Sequence, residues 1–302
     1  VVAAQTEDLS YADFGAGLQT SGRSMFYVDS DLLINATDDI NVTQAAVLSG
    51  QGNLTLNAGA NLNVNEGHLE AFGQLNVTSL IGLNAQSTLL SGSQVLITAG
   101  LSFVGNGLRI SSVDDTSISA IGGVSLDSRL HAYLNQANFN NVIGTLAGES
   151  WNNQRAGASG GGSREIISNE LSEIVAGRDL SINSIGGILL GGVQANVARD
   201  VTLGTGAALS MTAPRSVVEF HTGSDRNGTD LWDVRSHATA ITAGGNFSAL
   251  AGDTATIEGA TLAVDGSLSI AAENNLSFAA ARNIYGYHRR TYDKNIFRTK
   301  TT

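Results

Sequence analysis

Apolar residues in this chain alternate with Asn, Thr and Ser in short runs, as in Leu54-Thr55-Leu56 and Leu62-Asn63-Val64. Alternation with a period of two predicts strands that bury one face. Helical spacing is sustained nowhere. Glycine closes many of the runs, at Gly59, Gly67, Gly73, Gly92, Gly100 and Gly107, where the chain is expected to turn sharply.

The runs recur. Gly52-Asn53-Leu54-Thr55-Leu56, Gly73-Gln74-Leu75-Asn76-Val77 and Ser93-Gln94-Val95-Leu96-Ile97 align, with 21 residues from Leu54 to Leu75 and 20 from Leu75 to Val95. A second series places Leu62 with Val64, Ile81 with Leu83 and Leu101 with Phe103, and a third places Leu69, Leu89 and Leu108 about one period apart. The spacing returns at Leu180 and Val201, and again at Phe247 and Leu268. A single unit of this size cannot cover its own apolar face, so units must stack, each strand pairing in parallel with its equivalent one coil on. The fold expected is all-β, a right-handed parallel β-helix with three strands and about 20 to 21 residues per coil. Identical polar residues in successive coils are expected to form ladders, with Asn57, Asn65 and Asn84 as corner members.

Two stretches break the register, and insertions in a solenoid emerge as loops and arms. The division expected is an irregular or capping segment at 1–30, coils at 31–135, a partly flexible loop insertion at 136–173, coils at 174–213, a projecting hairpin at 214–240, coils at 241–281, and a basic aromatic arm, cut short, at 282–302. The first insertion contains the glycine-rich stretch from Trp151 to Ser163, a flexible linker by composition. In the second, Ser216–His221 and Leu231–Ser236 read as strands joined by a turn-rich 222–228. Phe220, His221, Arg226, Trp232 and Arg235 on this hairpin are the candidate partner-contact residues.

Composition narrows the function. Charged residues are 14% of 302, glycine numbers 36, proline one and cysteine none. Sparse charge argues against disorder, and missing cysteine removes disulfides and thiolate chemistry. No run of 18 apolar residues is present to span a membrane as a helix, and Val1 opens no basic and apolar leader, so no signal peptide is expected in this stretch. Of the net charge of −11, residues 282–302 carry six basic side chains and one acidic, which leaves −16 on the rest. An acidic body repels nucleic acid and anionic lipid, so neither is expected as a partner.

Candidate chemistry is thin. The five histidines are scattered, and His221, Asp225, Asp230, Asp233 and His237 match no zinc or calcium spacing, so no metal and no cofactor is expected. Asp38, Asp39, Asp114, Asp115, Asp127 and Arg129 are the candidates for a polysaccharide lyase or hydrolase site of the kind β-helices support. Acids are not expected to recur at the one-coil spacing that would stack them, and no catalytic role is assigned. The Asn227-Gly228-Thr229 triplet, at the hairpin tip, is the one of several such triplets whose position suits a modification.

Ala176-Gly177-Arg178-Asp179-Leu180-Ser181-Ile182, Ala243-Gly244-Gly245-Asn246-Phe247 and Val264-Asp265-Gly266-Ser267-Leu268-Ser269-Ile270 resemble the repeats of filamentous haemagglutinins and contact-dependent inhibition effectors. The resemblance covers about 32–135 and 174–290. It implies an internal rod segment of a very large bacterial exoprotein, an adhesin or toxin-delivery filament at the cell surface, exported by two-partner secretion through an outer-membrane partner barrel. Its receptor or target glycan is unknown from sequence, and no activity is carried to individual residues. The other reading is a polysaccharide-binding or polysaccharide-degrading β-helix.

Overall fold

A computed structural model describes residues 4–5, 11–13, 18–20, 25–49, 51–135, 144–146, 149–151, 162–223 and 228–290. Every element among them is a strand, and three sheets of ten parallel strands each form a β-solenoid of ten coils. Coil 4 comprises His68–Ala71, Gln74–Ser79 and Gly82–Gln86, and coil 5 Leu89–Gly92, Gln94–Ala99 and Ser102–Asn106. Coil 6 is Arg109–Ser112, Thr116–Ala120 and Gly123–Asp127, coil 7 Glu173–Ala176, Leu180–Ser184 and Gly187–Gly191, and coil 8 Gln194–Val197, Val201–Thr205 and Leu209–Thr212. The three strands of a coil belong to the first, second and third sheet in that order. At about 4.8 Å per coil, nine intervals give the solenoid a length of about 43 Å.

Like residues lie over like. The column Leu32, Leu54, Leu75, Val95, Thr116, Leu180, Val201, Phe247 and Leu268 runs through the second sheet, one residue per coil. From Leu32 to Val201 every member is almost wholly buried, and so is Phe247. Thr116 is the polar exception, and its hydroxyl is satisfied 2.8 Å from that of Ser112. The column steps over 64 positions between Thr116 and Leu180 and 46 between Val201 and Phe247, where the chain makes its excursions.

Two of the expected series are out of register. Leu69 pairs with Leu90 and Leu90 with Ile110, not Leu89 and Leu108. Leu62 pairs with Leu83 and Leu83 with Phe103, so Ile81 and Leu101 fall outside the strands, at exposed corners. At Leu89-Leu90 an adjacent apolar pair hides which of the two points inward, whereas Ile81 and Leu101 precede Leu83 and Phe103 by two positions, so alternation alone carries the expected strand into the corner. Residues 1–30, expected to be irregular or capping, contribute the short strands Ala4–Gln5, Tyr11–Asp13 and Leu18–Thr20, paired in parallel with coil 2, and the coil 2 strand Met25–Val28.

The polar ladders exist, but on strands. Asn57 donates to Asn35 (2.8 Å), and Asn84 to Asn63 (3.0 Å) and Asn63 to Asn41 (2.9 Å). All are mid-strand residues, not corner members, and the Asn65 Oδ1 has no partner among the described residues.

The corner between the third and first sheets explains the excursions. In uninterrupted coils it holds one left-handed residue: Gln44 (φ 50°), Glu66 (52°), Ser87 (45°), Gly107 (60°), Gly192 (64°) and Gly259 (61°). Each donates its amide to the end of the third-sheet strand one coil on, as Glu66 does to Gln86 (2.8 Å) and Gly192 to Thr212 (3.2 Å). Both internal excursions open here, after Asp127 and after Thr212, and the chain departs once more after Ala279. On re-entry a buried hydroxyl restores the missing bonds. Ser172 donates to the Asp127 carbonyl (2.6 Å) and accepts the Leu108 amide (3.1 Å). Thr239 bonds the carbonyls of Leu190 (3.0 Å) and Thr212 (2.9 Å) and accepts the Gly192 amide (3.0 Å).

The second unit comprises residues 130–169, 215–237 and 282–302. Its strands Arg129–Asn135, Gly162–Glu170, Arg215–Gly223, Gly228–Ser236 and Ile284–Arg290 are neighbours in that order in one sheet. The last four pair antiparallel.

Candidate partner-contact arm and corner carboxylates

The hairpin joins nine-residue strands in unbroken register from Arg215 opposite Ser236 to Gly223 opposite Gly228. Alternate positions of a strand face opposite sides. Position 220 lies opposite Leu231 and position 221 opposite Asp230, and Trp232 and Arg235, three positions apart on the second strand, lie on opposite faces. Trp232 and Arg235 therefore do not share one surface, while the side chains of Phe220 and His221 and the whole of Arg226 lie outside the described residues.

Trp232 faces Gly286 across the next strand pair. Its indole lies so close over that backbone that a Cβ at 286 would collide with the ring, which leaves the tryptophan 36% exposed. Glycine there is the condition for the aromatic ring to cover the strand. Arg235 reaches Asp233 at 3.1 Å, so its guanidinium is paired. Among the described residues of this sheet, Tyr285 and Tyr287 of the 282–302 arm are more exposed than Trp232.

Three of the residues set out as possible metal ligands, Asp230, Asp233 and His237, have separate partners. Asp230 lies 3.4 Å from the His288 Nδ1, Asp233 pairs with Arg235, and the His237 Nε2 is 2.8 Å from the Ser216 hydroxyl. Asp225 lies outside the described residues, and so does Asn227 of the tip triplet. The glycine-rich 151–163 stretch is described only at Trp151, Gly162 and Ser163. Among the described residues no three His, Asp or Glu side chains are close enough to share an ion.

The carboxylates weighed for glycan chemistry occupy three different corners. Asp38 and Asp39 precede the third sheet, Asp114 and Asp115 precede the second, and Asp127 and Arg129 flank the departure from coil 6. Asp39 accepts the Asn61 amide at 2.8 Å. Burial raises the Asp127 pKa above the usual carboxylate range, against the opposing pull of the Ser128 amide at 2.7 Å. Arg129 bonds Glu66 (3.1 Å) and Ser87 (2.8 Å), and Ser87 bonds Glu170 (2.5 Å). Gly107 makes room for this bridge, since a Cβ there would lie 3.0 Å from the Glu170 carboxyl and 3.1 Å from the Arg129 Cβ.

One expectation is overturned here: acids do recur at the one-coil spacing. Thr116, Leu180 and Val201 are register partners, so the residues before them, Asp115, Asp179 and Asp200, stack in three successive coils. The first excursion separates Asp115 from Asp179 by 64 positions and hides the ladder, although the 21-residue step from Asp179 to Asp200 was legible. Their oxygens accept backbone amides one coil on: Asp179 to Asp115 (3.2 Å), Asp200 to Asp179 (3.0 Å) and Asn246 to Asp200 (2.6 Å). Arg178 and Arg199 stand 3.8 and 3.6 Å from Asp115 and Asp179. The stack is a capping device built on the Gly-Arg-Asp and Ala-Arg-Asp runs.

No helix among the described residues is long and apolar enough to cross a membrane. No family model, curated protein or solved structure matches the chain.

Proposed function

We propose that this chain is a rod segment of a large secreted bacterial surface exoprotein, of the filamentous haemagglutinin and contact-dependent inhibition type. It passes an outer-membrane partner barrel and holds binding or effector regions away from the cell without catalysis. The carrying observation is the ten-coil stack, in which each turn adds length and little else, while the excursions open at a single corner. The resemblance of the 176–182, 243–247 and 264–270 repeats supports the same reading.

A cysteine-free chain suits passage through a narrow barrel from an oxidising compartment. Asn63 and Asn84 are outward register partners. In the full-length exported protein, the Asn63→Cys, Asn84→Cys pair is expected to stall export and reductant to restore it. Export at the parental rate without reductant would overturn the reading.

The second reading, a polysaccharide-binding or polysaccharide-degrading β-helix, is favoured by the Asp115, Asp179 and Asp200 stack. It requires turnover or retention of a glycan in a screen of acidic and neutral polymers, lost in Asp115→Asn or Asp179→Asn.

A further inference from the structure

The corner between the second and third sheets is unlike the other two. It carries two residues in coils 4 to 7 and three in coils 3 and 8, and from coil 3 to coil 8 none of them is charged. The first position reads Leu80, Gly100, Ile121, Ile185 and Gly206 in coils 4 to 8, and the second reads Ile81, Leu101, Gly122, Gly186 and Ala207. Leu80 is 68% exposed, Leu101 55%, Ile121 57% and Ile185 70%. Leu80, Gly100, Ile121, Ile185 and Gly206, with Leu250 of coil 9, line one open groove that holds no charged or aromatic side chain.

We propose that this stripe is the interface between two copies of this chain, laid side by side in antiparallel orientation about a two-fold axis through coil 6. The pattern of large and small residues is self-complementary in that arrangement. The axis sets coil 4 against coil 8 and coil 5 against coil 7. Leu80 then meets the gap at Gly206, Ile185 meets the gap at Gly100, and Ile121 meets its own copy. In the second column Ile81 meets Ala207, Leu101 meets Gly186, and Gly122 meets itself. Parallel pairing in register, about an axis along the stripe, would instead set the first column against the second, with Leu80 on Ile81 in coil 4 and Gly206 on Ala207 in coil 8.

The gaps are fixed by the fold. A Cβ at Gly100 would run into the Leu80 carbonyl, and one at Gly206 would lie 2.7 Å from that of Ile185. Coils rise by the same ~4.8 Å in both copies, so a match at one coil is kept along the stripe. The exposed aliphatic side chains amount to on the order of 600 Å² per copy, and pairing would remove about 1,200 Å² in all, the lower bound for a specific interface. Charge restricts the choice further. The solenoid unit holds five basic against twenty acidic residues, net −15. Two such bodies repel except along an uncharged strip, and here the flanking charges, Asp38 and Asp253, lie beyond its ends in coils 2 and 9. An isologous contact of this kind closes at two copies.

Sedimentation of the 302-residue chain is expected to show a dimer that persists in 1 M salt and reverts to monomer in Ile121→Ser, Ile185→Ser, with an unchanged β circular dichroism spectrum. The absence of cysteine allows a test of geometry. Ile121→Cys should give a disulfide-linked dimer on oxidation. Leu80→Cys alone and Ile81→Cys alone should not, and Ile81→Cys with Ala207→Cys should. A chain that stays monomeric at 100 µM and gives no Ile121→Cys cross-link overturns the proposal. Cross-linking of Leu80→Cys to itself overturns the antiparallel arrangement. A monomer that takes up a fluorescent fatty acid, with uptake lost in Ile121→Ser, assigns the stripe to an aliphatic ligand instead.

Discussion

Single hydroxyls close the solenoid where the chain re-enters it. Thr239 bonds two carbonyls and an amide from two different coils while wholly buried. Thr239→Val keeps the shape and strands those groups, so a loss of about 1–3 kcal/mol is expected in chemical denaturation, with most of it recovered in Thr239→Ser. Asp127 acts in the opposite sense. Its pKa is raised in the fold, so the native state binds the proton more readily than the unfolded chain does, and stability falls as pH rises through the carboxylate range. Asp127→Asn keeps an acceptor for the Ser128 amide and removes the charge. Below about pH 3 the two proteins should melt together, and above about pH 6 the variant should melt higher in thermal scans.

Elements are set by register and by corners, and the two were unequally legible. Strand existence and the 20 to 22 residue step followed from alternation, because apolar residues on one face of a strand announce themselves. Parity failed at Leu89-Leu90, where the second apolar residue has no polar neighbour to mark it as outward, and the strand start was misplaced by two residues at Ile81 and Leu101, because the exposed corner is itself apolar. The carboxylate stack was hidden because the excursion breaks linear spacing while the fold preserves the vertical step. The hairpin strands were legible, but the pairing of positions 228–234 with 284–290 was not, since nothing in either run specifies a partner so distant in sequence. The left-handed corner residue suggests a direct test of the hairpin's independence. Gly192-Val193 closes the uninterrupted corner between coils 7 and 8 with two residues. Removing 214–238 with Ala213→Gly leaves Gly-Thr in that place, and the β circular dichroism of the solenoid is expected to survive. Loss of the cooperative transition would show that the hairpin is required for folding. Within the capping stack, Asp200→Ala removes the acceptor of the Asn246 amide and should cost ~1 kcal/mol by denaturation, whereas Asp200→Asn should cost less.

For the whole molecule, stability is distributed along the axis. A solenoid coil is stabilised by its neighbours on both sides, and the tenth has one described neighbour. Its inward residues show this: Leu268, Leu276 and Phe278 are exposed, while their register partners Phe247, Ala255 and Ile257 are buried. Amides of 261–279 are expected to exchange with deuterium faster than those of 68–127 in the isolated chain, read by mass spectrometry. Equal protection would mean that the end coil has a cover of its own. Charge is also divided by unit, since the second holds eleven basic against seven acidic residues, net +4, beside the −15 of the first.

The one-residue left-handed corner makes this architecture hospitable to foreign sequence. Because the backbone already reverses there, a graft spliced between Gly192 and Val193 need only bring its two ends together and supply a re-entry hydroxyl like those of Ser172 and Thr239. Lineages built on such a column can exchange their appendages by recombination while inheriting the interior intact, so diversity should concentrate along one edge and conservatism everywhere else.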